Sequence, residues 1–267
     1  MNVFLTGASS GIGMALAREF SRRGACLGLV ARRADHLSAL AAELGTPCHC
    51  YALDVTDRPA LLAAAREFEA CCGGTDFVIA NAGISTGVLT EHEEDLAVFD
   101  RVLATNLNAV ATTFHPFIAP MRARRSGTLV AIASVAGIRG LPGSEAYCPS
   151  KAALINYGES LRVGLRGSGV RVVTVAPGFI RTPMTADNPY PMPFLMDVEA
   201  FATQAVAAML RGDRFRVIPW QMAWVARLLR VLPGWAFDRA LAGRARKPRG
   251  GAGSSARRDA DGGAGRP

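Results

Sequence analysis

Lysine is almost absent from this chain: only Lys151 and Lys247 occur among its 30 Lys and Arg side chains. Arginine has too high a pKa, and too broad a head, to serve as a compact charge whose proton can be exchanged. Lys151 follows Tyr147 by four residues in the region expected to fold, so it would lie one helical turn further along the same face. An ammonium there would favour the phenolate and prepare Tyr147 for proton transfer. The alternative is a surface helix with a chance Tyr-to-Lys spacing.

Long apolar runs are also missing. No stretch of about eighteen uncharged apolar residues is present, so we expect no membrane-spanning helix. The chain starts without a basic segment or a cleavage site, and we expect a cytoplasmic location. The six cysteines match no zinc-binding spacing, so we expect no metal and predict buried, reduced thiols. Cys48 and Cys50 should point the same way from one strand.

Most of the chain has no excess of positive charge, although the net charge of the whole chain is +8. Residues 1–210 hold 17 basic and 18 acidic side chains. Residues 211–242 add 6 basic against 2 acidic, and residues 243–267 add 7 against 2. The basic excess therefore belongs to the C-terminal part, and we expect no nucleic-acid binding by the body.

Short apolar strands alternate with helical stretches over residues 2–219. We predict strands at 3–5, 26–31, 48–53, 77–80, 129–133 and 170–175. Helices are predicted at 14–23, 34–44, 58–70, 96–117 and 147–165, with Asp57 capping the third and Pro116 and Pro120 interrupting or ending the fourth. Right-handed crossovers would join them into an α/β fold, a single doubly wound Rossmann-type parallel sheet of about seven strands with helices on both faces.

The first predicted strand runs into a glycine-rich turn with the sequence TGASSGIG at residues 6–13. Glycine lets a backbone approach a pyrophosphate, and the N-terminus of the following helix attracts anions. The spacing differs from the usual G-x-G-x-x-G, and an ordinary turn is the alternative. We predict a dinucleotide-binding loop made of Gly7, Ser9, Ser10, Gly11, Ile12 and Gly13.

The end of the second strand lacks an acidic residue and carries Arg32 and Arg33 instead. An acid at this point would bind the ribose hydroxyl of NAD, whereas guanidinium groups suit the 2′-phosphate of NADP. We therefore predict NADP(H) rather than NAD(H), with Arg32 as the first choice and Arg33 as the second. A solvated arginine pair is the alternative. Asp54 and Val55, after the third strand, would reach the adenine.

Three further positions follow from the predicted sheet. The small residues of the segment Asn81-Ala82-Gly83 would let the backbone pass close to a cofactor, although a plain turn is the alternative. Asn106 is a poor helix former in the middle of a predicted helix and calls for a reason. Ser134 stands at the C-terminal end of the fifth strand, where sites form in open parallel sheets.

Taken together, residues 2–219 resemble the short-chain dehydrogenase/reductase family. The resemblance rests on motifs in the family's order and spacing: the loop at residues 6–13, Asp54-Val55, Asn81-Ala82-Gly83, Asn106, Ser134, Tyr147-x3-Lys151 and Pro177-Gly178-x3-Thr182. It implies a homodimer or homotetramer and a catalytic tetrad of Asn106, Ser134, Tyr147 and Lys151.

The resemblance also implies roles for these residues. Tyr147 would act as general acid in reduction and as general base in oxidation, while Lys151 would lower its pKa and bind the nicotinamide ribose. Ser134 would hydrogen-bond the substrate oxygen, and Asn106 would hold a water that links Lys151 to solvent. Ile180 and Thr182 would contact the carboxamide end of the cofactor, and Pro177 and Gly178 of the same motif would also bind the cofactor.

A Met- and Pro-rich segment at residues 183–196 is expected to form a lid over the substrate. Its adaptable apolar side chains are Met184, Tyr190, Met192, Phe194, Leu195 and Met196, and Ile138, Leu141 and Pro142 would face them. We predict an NADPH-dependent enzyme that interconverts a carbonyl and an alcohol on a hydrophobic substrate (lipid-like, steroid-like or aromatic). The alternative is a non-catalytic NADP(H)-sensing or scaffolding protein.

All three tryptophans follow residue 219, which ends the predicted dinucleotide-binding and catalytic domain at residues 1–219. Residues 220–242 are predicted to be amphipathic and helical, with Trp220, Trp224, Leu228 and Val231 on one face beside Arg227 and Arg230. Such a helix suits peripheral contact with the inner face of a membrane. The alternative is a helix that closes the pocket or is buried in a dimer. Residues 243–267 are predicted to form a disordered basic tail.

Overall fold

The structure is a computed structural model that describes residues 1–186, 188, 191–243 and 246–249. In this part of the chain the strands are β1 (Asn2–Thr6), β2 (Cys26–Ala31), β3 (Cys48–Ala52), β4 (Phe77–Ala80), β5 (Thr128–Ile132), β6 (Arg171–Pro177), β7 (Ile180–Arg181), β8 (Met196–Asp197) and β9 (Phe215–Ile218). The helices are α1 (Gly11–Ser21), α2 (Ala34–Glu43), α3 (Arg58–Cys71), α4 (Leu96–Leu103), α5 (Ala109–Ala123), α6 (Tyr147–Gly164), α7 (Val198–Arg211), α8 (Trp220–Val231) and α9 (Gly234–Leu241).

Seven strands of the described residues form one sheet in the order β3-β2-β1-β4-β5-β6-β9, and every pair is parallel. The predicted doubly wound sheet is confirmed. Strand β9 was not placed by the sequence, because its Phe215 and Arg216 are exposed and blur the apolar run. The order of the strands reverses between β1 and β4, and in such sheets ligands bind at the carboxyl ends of the strands beside this reversal.

Helices cover both faces of the sheet and bury its apolar side chains. One core cluster joins α1, α2 and α7 to one face, and the other joins α3, α5 and α6 to the opposite face. Strands buried on both sides read as continuous apolar runs, as in VFL at residues 3–5 and FVIA at residues 77–80. The cap predicted at Asp57 is confirmed, because its carboxylate accepts from the Ala60 N–H at 3.1 Å.

The long helix predicted at residues 96–117 is divided in the structure. A π-helical segment, Ala104–Asn108, separates α4 from α5, and Asn106 lies within it. Helix α5 then continues through Pro116 and Pro120 to residue 123. The prediction that these prolines interrupt or end the helix is wrong. We attribute the continuation of α5 to the deep burial of its apolar side chains, such as Phe117 and Met121.

The thiols are less buried than predicted. Cys148 is buried, Cys50 and Cys71 are exposed, and the remaining three are partly buried. All six are free. Cys48 and Cys50 do point to one side of β3, as predicted: Cys48 packs on the α1–α2 cluster and the Cys50 thiol donates to the Leu37 carbonyl at 3.8 Å. The strand β3 lies at the edge of the sheet, which explains the exposure of Cys50, and Cys71 is the last residue of α3.

The C-terminal part returns to the body of the protein. After α9, Arg249 forms a parallel bridge with Gly87, and its guanidinium pairs with buried Asp95 at 2.8 Å. For residues 246–249, these contacts contradict the prediction of a disordered tail that begins at residue 243. Residues 250–267 lie outside the described part. Within that part, we find no helix with the length and apolar character needed to cross a membrane.

Candidate active site

A cleft of about 630 Å³ opens at the carboxyl ends of the strands around β1 and β4. All but two of the predicted site residues line it: Gly7, Ser9, Ser10, Gly11, Ile12, Arg32, Arg33, Asp54, Val55, Asn81, Ala82, Gly83, Ser134, Tyr147, Lys151, Pro177, Gly178, Ile180 and Thr182. The exceptions are Gly13 and Asn106, which lie behind the lining. Motifs spread over the chain therefore meet at one place.

The glycine loop has the close backbone contacts of a phosphate cradle. Gly7 and Gly11 adopt positive φ angles of 71° and 54°. A Cβ on Gly13 would lie only 2.0 Å from the Gly7 carbonyl oxygen, so that position must remain glycine. The Asn81 amide donates to the Thr6 and Gly7 carbonyls at 3.1 and 3.2 Å. Asn81 therefore holds the loop in shape, a role beyond the close approach expected of it from the sequence.

The two arginines stand at one end of the cleft but differ in their contacts. Arg33 donates to the Ser9 hydroxyl at 3.3 Å. The side chain of Arg32 is 74% exposed and lies 3.8 Å from the Asp54 carboxylate. Burial would raise the pKa of Asp54, but hydrogen bonds from Thr56 and the charge of Arg32 hold that pKa below its usual value. Arg32 thus keeps its donors available to a ligand.

Tyr147 and Lys151 face each other at the other end of the cleft. Tyr147 is the first residue of α6, and the Lys151 ammonium lies 5.9 Å from the centre of its ring. Lys151 is buried and donates to the Ile132 carbonyl at 2.9 Å. Burial lowers the pKa of Lys151 to about 8. The predicted one-turn spacing therefore produces a real juxtaposition of phenol and ammonium.

Ser134 is placed with its proton available. Its hydroxyl oxygen accepts from the Ala136 N–H at 3.1 Å, as the cap of a short 3₁₀ turn, Val135–Gly137. Since that bond uses a lone pair, the O–H can donate to a substrate oxygen in the cleft.

Asn106 supports the site from behind. Its amide exchanges two hydrogen bonds with the backbone of Ile84, at 2.9 and 3.0 Å, and donates a third to the Ser150 hydroxyl at 3.0 Å. A Cβ on Gly83 would lie 3.2 Å from the Asn106 oxygen, so small residues there allow the approach. The π-helical segment aims Asn106 inward, as such segments often do at functional sites. Its link to Ser150 was not visible in the sequence.

The loop expected as a lid is partly placed by the structure. Pro183, Met184 and Thr185 line the cleft. The loop is closed at its base by the pairing of β7 with β8, in which Ile180 is opposite Met196. Tyr190 lies outside the described residues.

Of the residues expected to face the lid, which are Ile138, Leu141 and Pro142, the last two lie against a C-terminal helix. Leu141 and Pro142 line a second cavity together with Phe237 and Leu241 of α9. Arg139 donates to the carbonyls of Leu229 and Leu232, at the end of α8. The C-terminal helices therefore pack against this loop.

Lys247 is a neighbour of Tyr147 that sequence analysis missed. Its ammonium lies 5.6 Å from the centre of the Tyr147 ring and donates to the Ser85 hydroxyl. Burial lowers the pKa of Lys247, although the nearby Cys148 raises it by a smaller amount. Both lysines of the chain therefore stand beside Tyr147, which corrects the view that only Lys151 lies in the folded region. The rarity of lysine was the one signal that could have indicated Lys247.

Comparison with known proteins agrees with this geometry. A family profile for short chain dehydrogenase matches residues 1–191. An uncharacterized oxidoreductase of Myxococcus xanthus is 40% identical over 239 residues, which cover 88% of this chain and 94% of that protein. Sulfoacetaldehyde reductase 2 of Chromohalobacter salexigens is 31% identical, over 84% of this chain and 96% of that one. The crystal structure of a short-chain dehydrogenase from Streptomyces avermitilis shares the fold, with a TM-score of 0.74, 24% identity and coverage of 85% and 91%.

Proposed function

Because this chain belongs to the short-chain dehydrogenase/reductase family of NAD(P)-dependent oxidoreductases, we propose that it interconverts a carbonyl and an alcohol on a hydrophobic substrate, with NADP(H) as its cofactor. The observation that carries the proposal is the convergence of Ser134, Tyr147 and Lys151 in the cleft that also holds the glycine loop. The test is NADPH oxidation over carbonyl compounds graded by chain length and ring content. Failure of the protein to bind NADPH would end the proposal.

The cleft fits a dinucleotide by its own structure. Its glycine loop leaves no room for side chains at Gly13, and α1 begins directly at Gly11 with its N-terminus towards the cleft. Once bound, a nicotinamide cofactor supplies or accepts the hydride. The protein's task is then to hold the substrate and to move one proton.

We assign that proton to Tyr147. In reduction its phenol would donate the proton to the carbonyl oxygen, and in oxidation its phenolate would take the alcohol proton. Ser134 would donate a hydrogen bond to the same oxygen, orienting it towards Tyr147. Lys151, held by Ile132, places its charge beside the ring and favours the phenolate. Asn106 acts as a positioning residue through Ile84 and Ser150; a water held there, as the resemblance implies, would extend the proton route.

The preference for NADP(H) is assigned to Arg32. Replacement by alanine should weaken NADPH binding about 10- to 100-fold, the value of a charge-assisted hydrogen bond, and should change NADH binding little. Titration of each variant with both cofactors, followed by nicotinamide fluorescence, measures the change. Arg22→Ala, which removes an exposed arginine just after the end of α1, is the matched control. Equal losses for NADPH and NADH would contradict the assignment, and Arg33→Ala tests the second choice.

Lys247 is proposed to add a second positive charge beside Tyr147. Lys247→Met should move the pH profile of kcat for alcohol oxidation upward by about one unit, because a phenol with one cation fewer loses its proton less readily. The control is Arg246→Ala, which removes an exposed cation from the same segment. If the two variants have the same profile as the wild type, Lys247 has no such role.

A contact with membranes is proposed for residues 220–242. Trp220, Trp224, Leu228 and Val231 form an outward stripe on α8, each at least 62% exposed, while Met222 and Ala226 are buried on its other side. Trp235 on α9 is 75% exposed. Arg227 lies over the Trp224 ring at 5.2 Å and, with Arg230, provides cations beside the stripe. Tryptophan with arginine suits a headgroup interface.

Vesicle sedimentation tests this contact. The protein should sediment with vesicles rich in phosphatidylglycerol and much less with neutral phosphatidylcholine vesicles. A Trp220→Ser/Trp224→Ser variant should lose binding and keep its activity. Cosedimentation that is unaffected by these substitutions would contradict the proposal.

Light scattering on the same samples tests the proposed homodimer or homotetramer, since family members are often oligomeric. A variant that only loses its oligomeric state would assign the stripe to a subunit contact.

A further inference from the structure

Three potential metal ligands from separate elements meet at the amino-terminal edge of the sheet. Cys26 begins β2, His49 is the second residue of the neighbouring β3, and Cys72 follows the last residue of α3. Their ligand atoms all lie within 4.8 Å of one another. The catalytic cleft opens at the carboxyl ends of the same strands, so this cluster lies at the opposite edge of the sheet.

The spacing of the two sulfurs matches a tetrahedral metal site. The Sγ atoms of Cys26 and Cys72 are 3.7 Å apart. Two thiolates bound to zinc at about 2.3 Å in tetrahedral geometry lie about 3.8 Å apart, so neither side chain has to move far. A disulfide would require the sulfurs to close to about 2.05 Å. Two sulfurs and one imidazole form a donor set that suits zinc.

The fold holds the three side chains in place without a ligand. The N–H of Cys26 donates to the Met1 carbonyl at 2.9 Å. The side-chain amide of Asn2 donates to the carbonyls of Cys72 and Gly74, at 3.0 and 2.7 Å, and thus ties the turn after α3 to β1. Ligands on two adjacent strands and one pinned turn form a preorganised site, which is what metal affinity requires.

The surroundings also fit a metal. The His49 ring meets Phe68 edge to face at 5.7 Å, which fixes its plane. The Tyr51 hydroxyl is buried and finds no hydrogen-bond partner among the described residues. Burial raises the pKa of Tyr51, and Glu67 and the thiols of Cys71, Cys72 and Cys26 act in the same direction. A phenol in this place can donate to a metal-bound thiolate, the kind of outer contact that orients ligands. All three ligands are half-buried, so solvent can reach a fourth coordination position.

We propose that Cys26, His49 and Cys72 bind a zinc ion that stabilises the fold, with the fourth coordination position filled from solvent. On binding, both thiols lose their protons to solvent and their thiolates, together with the neutral imidazole, coordinate Zn²⁺. The ion would tie β2, β3 and the end of α3 together at a point far from the substrate. No short ligand spacing exists in the sequence, because residues 26, 49 and 72 belong to three separate elements.

Cobalt serves as a spectroscopic probe for this site. The full-length protein, reduced and free of metal, should bind one equivalent of Co²⁺ with the visible bands of a tetrahedral ion and a thiolate charge-transfer band. Zn²⁺ should displace it and raise the midpoint of thermal unfolding. Cys26→Ser and Cys72→Ser should each weaken binding at least about 100-fold, more than the loss of an outer-shell partner does. His49→Gln should weaken it as well and change the spectrum.

The chain offers matched controls. Cys48→Ser and Cys50→Ser alter thiols on the same strand as His49, but on its opposite face, and should bind cobalt like the wild type. NADPH binding by every variant confirms that the fold persists. Absence of a tetrahedral cobalt spectrum in the reduced protein would overturn the proposal. So would equal losses in the Cys50→Ser and Cys26→Ser variants, or the finding that Cys26 and Cys72 form a disulfide that reductant does not open.

Discussion

Tyr147→Phe should lower kcat by about 10²- to 10⁴-fold while the affinity for NADPH stays within a factor of a few. The substitution removes one oxygen and keeps the ring, whose centre lies close to the ammonium groups of both Lys151 (5.9 Å) and Lys247 (5.6 Å). If Tyr147 transfers the proton, the variant should still bind NADPH but should lose most of its turnover. Initial rates with a carbonyl substrate and fluorescence titration with NADPH measure the two quantities separately.

The matched control for this variant is Tyr157→Phe. Tyr157 lies on the same helix, α6, with its ring stacked on Phe114 at 6.4 Å and outside the cleft lining. It should keep wild-type turnover. Comparable activity in Tyr147→Phe and the wild type would instead mean that another group transfers the proton, and the assignment of this site would be wrong.

Lys151→Met should abolish most turnover and, at pH 7, make the cofactor-free protein more stable. Burial lowers the pKa of Lys151 from 10.5 to about 8, and a shift of this size corresponds to about 3 kcal/mol against keeping the cation in the folded protein. Loss of the hydrogen bond to Ile132 lowers the free energy of unfolding of the variant by about 1 kcal/mol. A positive difference in the free energy of unfolding should remain.

The pH dependence of that difference follows from linkage. Between about pH 8 and 10.5 the unfolded chain still binds a proton on Lys151 that the folded protein has released. The free energy of unfolding of the wild type therefore rises through this range because of this group, and the advantage of Lys151→Met should disappear at its upper end. Urea unfolding of both proteins across this range gives the measurement. A variant that is less stable than the wild type at pH 7 would contradict the expected cost of burying this cation.

The parts of the site that depend on local sequence were predictable. Gly11 and Gly13, and Tyr147 and Lys151, are close in the chain, and their spacing alone places them on one turn or one helical face. The alternation of apolar strands and helices then brings the carboxyl ends of the strands together, whichever residues they carry. For this reason the cleft lining agrees closely with the sequence analysis.

Contacts between distant segments were not predictable in the same way. Lys247 lies in a stretch rich in Gly and Arg, with no periodicity to indicate that it returns to Tyr147. Asn106 attracted notice as a poor helix former, but the π-helical segment that turns it towards Ile84 and Ser150 leaves no mark in the sequence. The sequence showed the apolar residues of α8 at helical spacing. Such spacing does not say whether that side of the helix faces solvent or the core.

In the proposed reaction a hydride moves between NADP(H) and a hydrophobic carbonyl compound, while Tyr147 gives or takes the proton. The most direct test of this claim uses NADPH deuterated at the transferable position of the nicotinamide, incubated with ketones and aldehydes of graded size and analysed by mass spectrometry. We predict an alcohol that carries one deuterium on the former carbonyl carbon, formed by the wild type and not by Tyr147→Phe. Tight NADPH binding without any deuterium transfer across the whole panel would contradict the claim and indicate a cofactor-sensing protein.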